Sequence, residues 1–244
     1  MLENGINITS SDCVMFENLI IVPFRKREPH LDLFLRDAVP LFRKYLAPFK
    51  VAVVEQSDDG QLFNRGQVIN IGFNEYKNQA KYIYTHDVDI YPTEECVRKI
   101  YTKIPTTDIM GIYTSCWDTL GGIVKMGATT YEDINGFPNT YWGWGVEDKA
   151  LQNRAETYDK TISKNILNNY PKRHDFFTIK NDISDAIRSN DFHFRTDFEY
   201  NIFHRLAHSD KIYCVRTSGL NTLNYSVVER RELEPDVDLI KVSF

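Results

Sequence analysis

Ala80-Lys-Tyr-Ile-Tyr-Thr-His-Asp-Val-Asp89 is an apolar, aromatic and β-branched run that ends abruptly in two carboxylates. A short run of this kind reads as a buried strand, at Ala80–Thr85. Upstream, Asn18-Leu-Ile-Ile-Val-Pro-Phe24 and Phe49-Lys-Val-Ala-Val-Val-Glu55 have the same character. Between the first two, Pro29 opens a helical pattern with Leu31, Phe34, Leu35, Ala38 and Phe42 on one face. Pro40 is expected to kink or split it. Ser57-Asp-Asp-Gly60 marks a turn, and Asn64 to about Gln79 reads as a second helix through Val68, Ile69, Phe73 and Tyr76. Strand–helix–strand–helix–strand predicts an α/β fold with a parallel sheet and right-handed crossovers. Ligands of such sheets bind beyond the carboxyl ends of the strands. Three unusual polar clusters stand there: Arg25-Lys-Arg27, Glu55-Gln-Ser-Asp58 and His86-Asp-Val-Asp89.

The second half is less regular. Thr93 is expected to cap a helix through Lys103, with Glu94 and Glu95 in the first turn where the dipole favours acids. Asp108–Tyr113 reads as a strand, and a helix is expected from near Glu147 to about Tyr158. The polar stretch 160–201 yields no placed element. The net charge of −5 argues against a nucleic-acid binder. No apolar run approaches the roughly 20 residues of a membrane span, and the first residues lack a signal-peptide pattern. A soluble, cytoplasmic chain is expected, or a Golgi-luminal one if an anchor has been removed. Cys13, Cys96, Cys116 and Cys214 show no CxxC spacing and read as free thiols.

Asp87 and Asp89, one residue apart past a strand, can share a divalent cation and what it holds. Hard oxygen ligands suit Mn²⁺ or Mg²⁺, which neutralise a diphosphate. Read alone, Asp-x-Asp is usually a solvated turn; its position at the end of the third strand makes the two readings equal. In Trp142-Gly-Trp144-Gly-Val-Glu147-Asp148, the glycines let the backbone approach a ligand. An indole face beside two carboxylates makes a sugar platform, although Trp142 reads equally as core. A carboxylate partly shut from water can act as a general base. Arg25 and Arg27 are suited to phosphate or a pyrimidine base, and Arg65 at a helix start forms a second anion-friendly site.

Together and in this order, these motifs resemble the β-1,4-galactosyltransferase family. The likeness runs from Ile21-Val-Pro-Phe-Arg25 through Phe63-Asn-Arg65, His86-Asp-Val-Asp89 and Gly121-Gly122. It continues through Ile134-Asn-Gly-Phe-Pro-Asn-Thr-Tyr-Trp-Gly-Trp-Gly-Val-Glu-Asp148 to Arg205-Leu-Ala-His208. The resemblance implies a GT-A, Rossmann-like fold in one domain (residues 1–244) with a mixed, mainly parallel central sheet. A nucleotide-binding half over about 18–92 and an acceptor half over about 93–226 are expected. It further implies Mn²⁺, a UDP-sugar donor and a glycan or monosaccharide acceptor, with inversion and a β-1,4-type linkage.

Carried over by position, Pro23, Phe24, Arg25 and Arg27 hold the uracil and ribose side. Phe63, Arg65 and Gly122 line the donor site, and Asp87 and Val88 touch the nucleotide. Asp89 ligates the metal, Trp144 stacks at the sugars, Glu147 bonds the transferred sugar, and Asp148 is the general base. Phe203 and Leu206 match an apolar acceptor pocket. His193 is the first choice as metal histidine and His174 the second; the family's methionine ligand has no counterpart. Lys149 stands where the family has a third acid. Thr119 replaces a bulky tyrosine, which leaves room for an N-acetyl group and points to UDP-GalNAc beside UDP-Gal. UDP-Glc or UDP-xylose as donor, and a silent sugar-binding module on the same scaffold, are the alternatives.

Overall fold

The structure is a computed structural model, which describes residues 15–113, 119–143, 145–164, 166–169, 176–179 and 205–244. Three strands, β1 (Phe16–Phe24), β2 (Phe49–Gln56) and β3 (Ala80–His86), pair in parallel, with β1 in the middle. Residues 18–24 of β1 are all buried, as expected for a strand covered on both faces. One face carries α1 (Glu28–Asp37) and α2 (Val39–Tyr45), which bury Phe34 and Phe42. The break between them falls at Ala38, two residues before Pro40, which has no N–H to donate. On the other face lies α3 (Arg65–Glu75). A Cβ at Gly72 would come within 2.6 Å of Ile21, so glycine sets how closely this helix meets the sheet.

β4 (Ile90–Pro92) follows β3. The helix after Thr93 is α4 (Glu94–Cys96), which widens into a π-helical turn over Val97–Tyr101. Next come β5 (Ile109–Tyr113), β6 (Ile123–Gly127), α5 (Ala128–Asp133) and α6 (Glu147–Thr157). β7 (Ile162–Ser163), β8 (Phe177–Ile179), α7 (His208–Thr217), β9 (Ser226–Glu234) and β10 (Val237–Ser243) follow, with short 3-10 turns at Ile166–Asn169 and Leu220–Thr222. The large sheet has the order β7-β5-β6-β3-β1-β2-β10-β9. It is mixed: β3–β6, β5–β6 and β9–β10 pair antiparallel and the other neighbours pair in parallel. The expected helix through Gln79 stops at Glu75, because Asn78 takes a left-handed φ of +66° on the way into β3. Cys96 and Cys214 are free thiols.

Candidate active site

The Asp87-Val88-Asp89 turn follows β3 directly. The Ile90 N–H closes it on the Asp87 carbonyl at 3.3 Å, and the Asp87 N–H donates to the Gly122 carbonyl at 3.1 Å. Antiparallel pairing sets His86 opposite Ile123, so the two glycines before β6 arrive beside this turn. Gly122 has φ +76°, and a Cβ there would lie 2.6 Å from the Tyr113 carbonyl oxygen; only glycine fits. At Gly121 a Cβ would lie 2.4 Å from Asp148 Oδ2. Bare backbone makes the space into which the Asp148 carboxylate projects.

Arg65 is the first residue of α3, where the Asn64 side chain accepts from the Gln67 N–H at 3.0 Å and caps the helix. Its guanidinium donates through Nε and Nη2 to Asp87 Oδ1 at 3.0 and 2.8 Å. Through Nη1 it donates to Asp148 Oδ1 at 2.9 Å and lies 3.6 Å from Glu147 Oε1. Glu147 and Asp148 form the acidic first turn of α6, where the helix dipole favours negative charge. Val146 enters this helix at φ +64°, a strained conformation for a β-branched residue. Glu147 is buried, and one carboxyl oxygen, Oε2, has no hydrogen-bond partner among the described residues. Burial, reinforced by the Asp148 charge and opposed by Arg65, pushes its carboxyl up to about 8. Burial also raises Asp87 while Arg65 pulls it back. Burial drives the His86 imidazole down to about 4, which keeps it neutral.

At the end of β1, Arg27 Nη2 donates to Asp89 Oδ2 at 2.8 Å, and Asp89 is 4% exposed. Arg25 Nη1 and Arg27 Nε are buried donors without a partner among the described residues. Arg25 also faces Asp58 at 3.7 Å. Pro23 and the buried Phe24 are the last two residues of β1, and Val88 is buried in the turn. The Phe63 carbonyl accepts from the Gly143 N–H at 2.8 Å, tying the lead-in of α3 to the glycine-rich run. Thr119 is buried; its Oγ1 lies 3.5 Å from the position of a Gly121 Cβ, on the side of Asp148. Trp142 is half-buried against Phe244, with ring centroids 5.8 Å apart. Leu206 is half-buried ahead of α7. Trp144, His174, His193 and Phe203 lie outside the described residues.

Carboxylates from β3 and α6 and arginines from β1 and α3 thus meet at one end of the sheet. The motifs indicated each residue type. The Arg65 bridge between Asp87 and Asp148 was not indicated, because its partners stand 22 and 83 positions away. Among the described residues no three His, Cys, Asp or Glu side chains group around a possible metal position. Asp89 still offers a buried hard oxygen, already facing a cation, in keeping with Mn²⁺ or Mg²⁺.

Two family models match consecutive parts of the chain. One, described as the N-terminal region of glycosyl transferase group 7, matches residues 1–102. The other, the N-terminal domain of galactosyltransferase, matches residues 104–180. β-1,4-Galactosyltransferase 5 of Sus scrofa is 33% identical, across 63% of this chain and 42% of its own. The Danio rerio protein of that name is 30% identical, across 90% of this chain and 55% of its own. The chain belongs to the β-1,4-galactosyltransferase family. It spans 42% of the pig protein's length.

A Drosophila β-1,4-galactosyltransferase 7 variant, solved with manganese, UDP-Gal and xylobiose, superposes with a TM-score of 0.74 at 20% identity. The match covers 93% of this chain and 94% of that one and establishes the GT-A glycosyltransferase fold. All the arginines, carboxylates and glycines described above fall inside the two spans matched to the galactosyltransferase family. The β9–β10 hairpin falls outside them. No helix among the described residues is long and apolar enough to cross a membrane.

Proposed function

We propose that this member of the family is an inverting, metal-dependent glycosyltransferase. It moves galactose or GalNAc from a UDP-sugar to an acceptor sugar hydroxyl, in a β-1,4-type linkage. The observation that carries this reading is the Arg65 bridge, with Asp87 on one side at 2.8 Å and Asp148 on the other at 2.9 Å. One guanidinium joins the turn assigned to the nucleotide to the acid assigned to the acceptor.

Inversion needs one base at the acceptor and a stabilised leaving group opposite. Asp148, held by Arg65 and partly exposed, takes the acceptor hydroxyl proton as the new bond forms. Arg25 and Arg27, whose buried Nη1 and Nε have no partner among the described residues, bind the uridine and ribose side. Glu147, protonated near neutral pH, can donate as well as accept a hydrogen bond to a hydroxyl of the transferred sugar. Asp89 would hold the metal together with His193, or with His174 in its place. When bound, Mn²⁺ neutralises the diphosphate and stabilises UDP as it departs. Trp144 stacks on the sugars, and Phe203 and Leu206 line the acceptor pocket.

UDP-GalNAc is favoured as a second donor by Thr119, a small side chain on the Asp148 side of the glycines. UDP release is the test, with UDP-Gal and UDP-GalNAc, in Mn²⁺ and in EDTA, for the parent and for Asp148→Asn. Metal-dependent turnover that falls by about three orders of magnitude or more in the variant is expected, since the base acts in the transition state. No metal-dependent UDP release from parent or variant would identify a sugar-binding module, and equal turnover of the two would remove Asp148 as the base. Rejection of UDP-GalNAc would remove the donor assignment alone.

A further inference from the structure

The Asp87 carbonyl oxygen accepts two hydrogen bonds. One comes from the Ile90 N–H at 3.3 Å and closes the Asp87-Val88-Asp89 turn. The other joins it to His86 Nδ1 at 2.9 Å. A carbonyl can only accept, so Nδ1 carries the ring proton and Nε2 is left as an acceptor. Nε2 lies 2.8 Å from the Tyr101 hydroxyl, which must therefore donate to it. The imidazole is fully buried, with the rings of Phe34 and Phe42 packed at 5.2 and 6.1 Å. Both nitrogens are spent, so this histidine is neither a metal ligand nor an acid.

Tyr101 is fixed in its turn. Its ring stacks on Tyr84 with centroids 5.5 Å apart and planes 13° apart. Its carbonyl accepts from the Tyr84 hydroxyl at 2.7 Å and from Lys125 Nζ at 2.8 Å. It is the last residue of the π-helical turn over Val97–Tyr101, and such turns recur at functional sites. We infer that Tyr101, acting through His86, is a positioning pair for the Asp87-Val88-Asp89 turn, aiming both carboxylates at the nucleotide and the metal. This rests on the function proposed above for that turn.

The full chain carries its own control. Tyr101→Phe removes the hydroxyl that faces His86. Tyr131→Phe removes an equally buried hydroxyl that donates to Asn70 Oδ1 at 2.6 Å in the other core layer, apart from His86 and Tyr101. Two quantities are read in each variant: amide hydrogen exchange at Asp87 and Ile90 without ligand, and UDP affinity in saturating Mn²⁺ by calorimetry. Tyr101→Phe is expected to speed exchange at those two amides and to weaken UDP binding roughly tenfold, as loss of a supporting hydrogen bond does elsewhere. Tyr131→Phe is expected to lower Tm and leave both quantities unchanged. Equal effects in the two variants, or none in Tyr101→Phe, would overturn the inference. A parent that binds no UDP with Mn²⁺ would overturn the functional reading and the role given to the pair, while exchange would still report whether the turn is held.

Discussion

Glu147 is 7% exposed beside the charge of Asp148, and burial raises its carboxyl to about 8 from an ordinary 4.5. Between these values the folded chain holds a proton that the unfolded chain releases. The contribution to stability is therefore full below pH 4.5 and shrinks as pH rises through 8. Glu147→Gln keeps the shape and cannot ionise. Its Tm relative to the parent is expected to rise as the buffer goes from about pH 5 to about pH 8. Thermal melts at the two pH values check this, and a variant that loses ground with rising pH would contradict the protonated assignment. The same substitution leaves Arg65 with Asp87 and Asp148 as its charged partners among the described residues, so the clamp itself should survive.

The element that aims the clamp is α3, and Asn64 fixes where it starts. The Asn64 side chain accepts from the Gln67 N–H and donates to the Asn139 carbonyl at 2.7 Å. Asn64→Ala is expected to cost about 1–2 kcal/mol, read from the denaturant midpoint. It should also lower kcat/KM, because Arg65 is the next residue. A stability loss with kcat/KM unchanged would separate the cap from the clamp. Much at this scale was legible beforehand. Residues 18–24 of β1, 51–54 of β2 and 83–86 of β3 are buried on both faces and sit in largely apolar runs; Pro40 predicted the break at Ala38. β6 was not legible, because Lys125 stands at its centre. Its ammonium is satisfied by the Tyr101 and Lys103 carbonyls and by the faces of Tyr82 and Tyr84. The core of β9 is Glu229-Arg-Arg-Glu232, exposed on both sides, so no alternation marks it as a strand. In the site, the residue types were legible at the strand ends. Which arginine meets which carboxylate was not, since that depends on the order of strands in the sheet.

Across the whole molecule, the sheet does not respect a division into a nucleotide half and an acceptor half. β3, from the first, pairs with β6, from the second, and that pairing brings Gly121 and Gly122 to the Asp87 turn. The hairpin beyond both matched family spans is equally integral. β10 lies parallel to β2, with Val237 opposite Val51 and Leu239 opposite Val53. Val237, Leu239, Ile240 and Val242 are buried, and Lys50 Nζ meets Asp238 at 2.7 Å across the strand pair. With the hairpin absent, β2 becomes an apolar edge strand with unpaired backbone groups, a site for aggregation. A chain ending at Tyr225 is therefore expected to be insoluble or to lack a cooperative melt. Ile240→Ala is the milder probe: it should cost about 2–5 kcal/mol, as large-to-small changes in a packed core do. Tertiary signals from both halves should fall together in one transition that shifts with this variant, because β10 packs into the same core layer as α3, β6 and α6. Two separate transitions, with only one moved by Ile240→Ala, would show the halves to be independent units and would undo the single-domain expectation.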